Sequence, residues 1–236
     1  MIAGLSKAVT LYLSPVLSLT SLLLILFAYT APTLLLHSKV ALLVVSPSLE
    51  LTNSSSSQGV DGPTVFLGAL GSCSRPNDKG SVTCTPPTVS PTYDLTVLPQ
   101  NSPDLLTAPT ATTPVFIAIA IGLSIVFFVI FTLISLRANL GARLAAALDR
   151  PVLHRASAWV GLLGFMIGLT AFLVIRMWFG KAVEDFNKAI TQSGSGAPHL
   201  IAQTSNGFTM VWVGYAFYAV PLICSLARLH VTTAGK

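Results

Sequence analysis

Four long stretches of this chain carry no Asp, Glu, Lys or Arg: Ala8–Leu36, Leu105–Leu136, Ala156–Ile175 and Ala189–Ala227. Each contains a strongly apolar run of roughly 20 residues, the length a helix rising ~1.5 Å per residue needs to cross a ~30 Å hydrocarbon layer. The composition agrees: 53% of the 236 residues are hydrophobic and only 9% are charged, against about 25% charged in soluble domains. The reading is an all-α membrane protein, a four-helix transmembrane bundle, with spans near Leu11–Tyr29, Pro114–Leu136, Ser157–Phe179 and Phe208–Ala227. Tyr12, Tyr29, Trp159 and Trp178 fall near span ends, where an interfacial aromatic belt would place them. The whole of 1–236 reads as one tetraspan domain. Residues 31–113 form a first external loop, 137–155 a cytoplasmic loop and 180–207 a second external segment.

Four spans put both termini on one side, and the charges say which. The N-terminus, the 137–155 loop and the tail hold Lys7, Arg137, Arg143, Arg150, Arg155, Arg228 and Lys236 against one acid, Asp149. The other side balances six basic residues with seven acids. The short arginine-rich loop decides the matter, so both termini are expected in the cytoplasm. The formal charge of +5 is then a topology signal, not a nucleic-acid footprint. Lys7 followed by an apolar run also opens a signal peptide, but the uncharged stretch runs on to Leu36 and Pro32 crowds the cleavage position after Thr30. An uncleaved anchor is the better reading.

Outside the membrane, KVALLVV, TVFLGAL and SVTC read as strands of a small sheet. The proline-rich run from Thr85 to Pro114 reads as a surface-hugging linker. Cys73 and Cys84 lie together in this external segment, where an oxidising compartment favours a disulfide; zinc-ligand spacing is missing. Asn53 begins Asn-Ser-Ser, an acceptor triplet for glycosylation. In 180–207, KAVEDFNKAI continues the third helix past the membrane and QSGSGAP makes a flexible turn. Arg176 either snorkels to the headgroups or pairs with Glu184 or Asp185.

Within the third span Gly161, Gly164 and Gly168 allow close helix approach, either inside this bundle or against a partner helix. Arg137, Arg143, Arg150 and Arg155 surround Leu136, Leu140, Leu144 and Leu148, a segment able to extend the second helix and lie along anionic lipid. Cys224 is either a buried thiol or an acylation site.

The spans lack the ionisable side chains near mid-depth that pumps and membrane enzymes use. His37, His154, His199 and His230 are scattered, and no hydrolase, phosphate-loop or dinucleotide motif occurs. No enzyme activity, cofactor, metal or small-molecule substrate is expected. The expected partners are the lipid bilayer and a membrane protein, either a receptor or further copies of this chain. His37 and His199, both on the external side, are the two groups that could titrate with ambient pH.

FLGALGSC (Phe66–Cys73), VTC (Val82–Cys84) and YDLTVLP (Tyr93–Pro99), set between the first two spans, resemble the fungal cortical-patch (eisosome) and PalI pH-response family of claudin-like tetraspan proteins. Leu70 and Gly71 stand where animal claudins carry the tryptophan of G-L-W-C-C. The resemblance implies a non-enzymatic plasma-membrane role: organising membrane subdomains or assisting a receptor for ambient pH. Regulation of a cation channel in mating or growth, and cell-surface adhesion or fusion, are the alternatives.

Overall fold

The structure is a computed structural model that describes residues 12–48, 61–137, 141, 145, 147, 148 and 150–234. Among the described residues the α-helices and strands follow in the order α1 (Ser14–Thr30), β1 (Leu43–Pro47), β2 (Thr64–Leu67), β3 (Ser72–Arg75), β4 (Thr83–Cys84), α2 (Thr112–Ser135), α3 (Pro151–Gln192), β5 (Leu200–Thr204) and α4 (Asn206–Ala234). Among the described residues α2, α3 and α4 are long and apolar enough to cross a membrane, and α1, at 17 residues, is a shorter apolar helix. Phe116, Ile119, Val126 and Val129 of α2, Leu163, Met166 and Met177 of α3, and Val213 and Ile223 of α4 are exposed. Rows of outward apolar side chains on successive helices are what a hydrocarbon solvent requires and what water penalises. This is a membrane protein.

The chain divides into two compact units. The first comprises residues 1–26, 116–171 and 211–236, the second residues 27–115 and 172–210. In the first, Phe127 and Phe131 of α2 pack with Tyr218 and Leu222 of α4, and Val160, Leu162 and Phe165 of α3 close the cluster. The rings meet tilted or offset, at centroid distances of 5.3 Å (Phe127–Tyr218) and 5.8 Å (Phe165–Tyr218), the geometry that ring quadrupoles favour. Ser14, Ser18, Ser21, Ile25 and Ala28 of α1 are all buried. Their 4-3-4-3 spacing is a seam on one helix face, and its small members let α4 come close: a Cβ on Gly214 would lie 2.9 Å from Ile25 Cγ1 and 3.4 Å from the Ser21 carbonyl oxygen.

The second unit is built on an antiparallel sheet of order β4-β3-β2-β1-β5. Its registers include Val44 opposite Phe66 and Val45 opposite Ala202. Two points differ from expectation and one adds to it. TVFLGAL is not one strand: it ends at Leu67, where the Gly68 N–H bonds the Gly71 carbonyl at 2.9 Å and turns the chain into β3. After QSGSGAP, for which no structure was read beyond the turn, Leu200–Thr204 pairs along β1 as the fifth strand. The second helix does not extend into the arginine loop; α2 stops at Ser135 and Arg137 lies in a tighter single turn.

Proline sets two helix starts. Pro151 opens α3 and Pro114 sits in the first turn of α2, positions where a missing N–H costs no hydrogen bond. At 42 residues α3 is ~63 Å long, about twice the ~30 Å hydrocarbon thickness, so much of it must stand clear of the lipid. Its continuation is amphipathic: Phe172, Ile175, Phe179, Ala182, Phe186 and Ile190 are buried at helical spacing.

Candidate functional site

The residues of FLGALGSC, VTC and YDLTVLP come together in the second unit. A Cβ on Gly68 would strike the Ala31 carbonyl oxygen and approach Pro32 Cδ to 2.5 Å. Gly71 has φ +155° and its Cβ would meet Thr85 Oγ1 at 2.5 Å. The G-x-x-G spacing thus exists so that the β2–β3 turn can lie directly on the segment leaving α1 and on the chain leaving β4. The Tyr93 hydroxyl donates to the Gly68 carbonyl at 2.8 Å, and the Asp94 N–H to Ser72 Oγ at 2.8 Å. Tyr93 also stacks on Phe179 at 6.5 Å between centroids. Burial pushes the Tyr93 phenol above its ordinary range. The Thr96 hydroxyl and N–H hold the Asp94 carboxyl below its ordinary range.

Cys73 and Cys84 are cross-strand partners joined by a disulfide, Sγ–Sγ 2.05 Å, eleven residues apart. Closing so short a loop contributes about 3 kcal/mol in the chain-entropy account. The bond reinforces a strand that is only two residues long and exposed, held otherwise by its pairing with β3, the Ser74–Thr83 hydroxyl contact at 3.2 Å and the Thr85 N–H and hydroxyl against Ser72.

His37, Cys73 and Cys84 bring three donor atoms within 4.8 Å of one another, a grouping sequence spacing does not reveal. Its chemistry is closed in this state. The sulfurs are spent on each other and offer no thiolate. A carbonyl can only accept, so the 2.7 Å contact between His37 Nδ1 and the Pro32 oxygen fixes the proton on Nδ1. That leaves Nδ1, 3.5 Å from Cys84 Sγ, without a lone pair for a metal. His199 is not brought to His37. It precedes β5, with its carbonyl accepting the Ser48 N–H, at the opposite edge of the sheet from Cys84.

The outer part of α3 organises the rest of the unit. Asn187 takes both backbone groups of Ala202, with Nδ2 donating to the carbonyl at 2.9 Å and Oδ1 accepting the N–H at 2.8 Å. These two bonds seal the open edge of β5, which would otherwise invite another strand. Trp178 Nε1 donates to the Thr107 carbonyl at 3.1 Å. Asn101 Nδ2 donates to the Gly196 carbonyl at 2.8 Å, and Leu98 and Leu106 are buried. The proline-rich segment therefore runs along the unit without regular structure. Asn206 ties the start of α4 to the chain before β1, donating to the Lys39 carbonyl at 2.7 Å. Asn187 and Asn206 carry no motif, and only the fold exposes their roles.

The Arg176 guanidinium lies over the Phe208 ring at 5.2 Å, a cation–π arrangement, and not against Glu184 or Asp185. Asp185 instead bonds Lys181 at 2.6 Å. In the first unit, the three glycines of α3 face this chain's own helices. A Cβ on Gly161 would lie 2.6 Å from the Phe127 ring, one on Gly164 3.2 Å from Leu123 Cβ, and one on Gly168 2.9 Å from Ala120 Cβ and against the Tyr215 hydroxyl. Tyr218 donates its hydroxyl to the Gly161 carbonyl at 3.2 Å. Cys224 is half-buried in the same cluster, 3.6 Å from Ser14 Oγ. Arg137, Arg150 and Arg155 are exposed. Asn53 and Arg143 lie outside the described residues, as do Leu140 and Leu144.

No family model matches the chain, and no curated protein matches it significantly.

Proposed function

We propose that this chain is a four-span, claudin-like plasma-membrane protein of the fungal cortical-patch/PalI type, acting by binding rather than catalysis. In this reading α1 is the first span, both termini and the arginine loop are cytoplasmic, and the sheet is an external cap. The observation that carries it is the sheet itself. It takes four strands from the segment between α1 and α2 and a fifth from the segment between α3 and α4, and Cys73–Cys84 pins its weakest edge. A cap fed from both segments offers a shaped surface suited to recognition. Around it, the residues that resemble the family make turns, a cross-link and an anchor, and none is arranged for catalysis.

The inner arginines support the orientation. Arg150 and Arg155 flank the N-terminus of α3, where a cation opposes the helix macrodipole. Their placement gains nothing from the helix and is accounted for by anionic headgroups, at about 1 kcal/mol each. The membrane partner is a receptor or a further copy of this chain, held laterally by the helices while the cap meets the wall space. The test is cross-linking in living cells through the cap, at Lys79, followed by identification of what is captured. Recovery of a polytopic receptor supports the accessory role, recovery of a channel subunit moves the function to channel regulation, and recovery of this chain alone supports a self-assembling scaffold.

A further inference from the structure

The two sulfurs of the disulfide are not equivalent. Cys73 sits in β3, between β2 and β4, and is 1% exposed. Cys84 sits in β4, the outermost strand of the sheet, and is exposed. Thiol–disulfide exchange proceeds by attack of a thiolate on one sulfur and departure of the other, and access decides which is struck. A thiolate arriving from solvent can therefore reach Cys84, and Cys73 is the sulfur that departs. The neighbours suit both roles. The Pro32 carbonyl oxygen lies 3.5 Å from Cys73 Sγ, an acceptor in place for the thiol hydrogen that a departing Cys73 acquires. His37 Nδ1, whose hydrogen the same oxygen holds at 2.7 Å, lies 3.5 Å from Cys84 Sγ. An N–H thus stands beside the exposed sulfur, and a donor so placed favours the charged form of a thiol. The sheet also tolerates opening here: β4 is two residues long, while β3 stays paired with β2 from Thr64–Arg75 to Leu67–Ser72.

We propose that Cys84 is a covalent capture site for thiols, with Cys73 as its internal resolving sulfur and His37 as a positioning residue. A thiolate R–S⁻ attacks Cys84 Sγ, and the bond to Cys73 breaks as the R–S bond to Cys84 forms. The electron pair leaves on Cys73 Sγ, which takes a proton from water and turns it toward the Pro32 carbonyl. One disulfide replaces another, so no oxidant is consumed. Cys73 can reverse the step by attacking Cys84 and expelling R–S⁻. Alternatively, a second R–S⁻ attacks the R sulfur and Cys84 departs as the thiolate beside the His37 N–H. The site lies wholly within the second unit and goes beyond the binding role proposed above, so it stands or falls separately from the four-span reading.

The test uses the full chain in detergent micelles on a Cys224→Ser background. Glutathione is added, the reaction is quenched with N-ethylmaleimide, and the modified peptides are identified by mass. The expected product carries glutathione on Cys84 and maleimide on Cys73, in excess of the reverse arrangement by about tenfold or more. A soluble protein with one exposed cysteine, run in parallel, separates the sources of the thiol: capture of glutathione alone means a small-molecule thiol, capture of the protein means a partner's cysteine, and either supports the site. Adducts shared equally by the two cysteines, adducts chiefly on Cys73, or no adduct from either thiol while the urea-unfolded chain reacts overturn the proposal. His37→Ala should slow release of Cys84 by a second glutathione several-fold without slowing the first capture. A strand merely loosened by the substitution would speed both steps, and that result, or unchanged release, overturns the role given to His37.

Discussion

Replacing Gly161 and Gly122 by alanine should move stability in opposite directions, although both are glycines within apolar helices. Alanine is favoured over glycine in a helix by about 1 kcal/mol, so each substitution begins with that gain. At Gly122 nothing lies within 4 Å of the new methyl, and the gain stands. At Gly161 the methyl would sit 2.6 Å from Phe127 Cδ2 and 2.8 Å from Cε2, about 1 Å inside ordinary carbon–carbon contact. The ring cannot swing clear, because Phe127 is fully buried between Phe131 and Tyr218. Overpacking of this kind costs about 1–3 kcal/mol, and the helix shift that relieves it also stretches the Tyr218–Gly161 hydrogen bond. The expected outcome is Gly122→Ala stabilised by up to ~1 kcal/mol and Gly161→Ala destabilised by up to ~2 kcal/mol after the propensity gain is subtracted. Reversible unfolding of the disulfide-intact protein in detergent micelles reads both. Equal and positive shifts for the two variants would refute the packing argument, since propensity alone would then account for them.

Asn187→Leu removes two hydrogen bonds to Ala202, at about 1 kcal/mol each, and should cost ~2 kcal/mol while specifically speeding hydrogen exchange at the Ala202 amide; unchanged exchange there would place the seal of β5 elsewhere. Cys73→Ser with Cys84→Ser should lose about 3 kcal/mol, seen as loss of amide protection first in β3 and β4, with the α2–α4 core unaffected. The pH limits of the second unit follow from two neighbours. Asp94 has a lowered carboxyl, so its contribution is present above the ordinary carboxylate value and is lost as pH falls through the lowered one. Tyr93 has a raised phenol, so its contribution is complete below its ordinary value of 10.0 and shrinks at higher pH. Asp94→Asn should flatten the acid limb of a stability–pH profile and Tyr93→Phe the alkaline limb, each leaving the other limb unchanged.

What could be read in the chain, and what could not, follows from the range of the forces involved. The apolar helices were legible because solvation by lipid acts on every residue of a long run; α2 falls within two residues of its span at each end, while α3 starts six residues before its span and ends at Gln192, and α4 starts two before its span and ends seven after it. The helical continuation through Phe186 and Ile190 was legible from spacing. The disulfide was legible because ten residues of turn-rich chain lie between two cysteines in one external segment. β5 was not: LIAQT lies in an uncharged stretch between a glycine-rich turn and a helix, and its strand identity comes from pairing with β1, a partner more than 150 residues away. The Gly68–Gly71 turn cut an apparent single strand in two, since glycine's tolerance of close contact with Ala31 is invisible without the neighbour. The contact of Arg176 with Phe208 escaped prediction for a similar reason: the two residues are distant in sequence. His37 beside the disulfide is a meeting of elements that spacing does not encode.

The account stands or falls on sidedness. With intact cells, a membrane-impermeant amine reagent should label Lys79, in the β3–β4 connection, while a protease site placed in the Arg137–Arg155 loop stays uncut until the membrane is permeabilised. Labelling of Lys79 only after permeabilisation, or cleavage of that loop from the medium, would contradict the topology and, with it, the external cap.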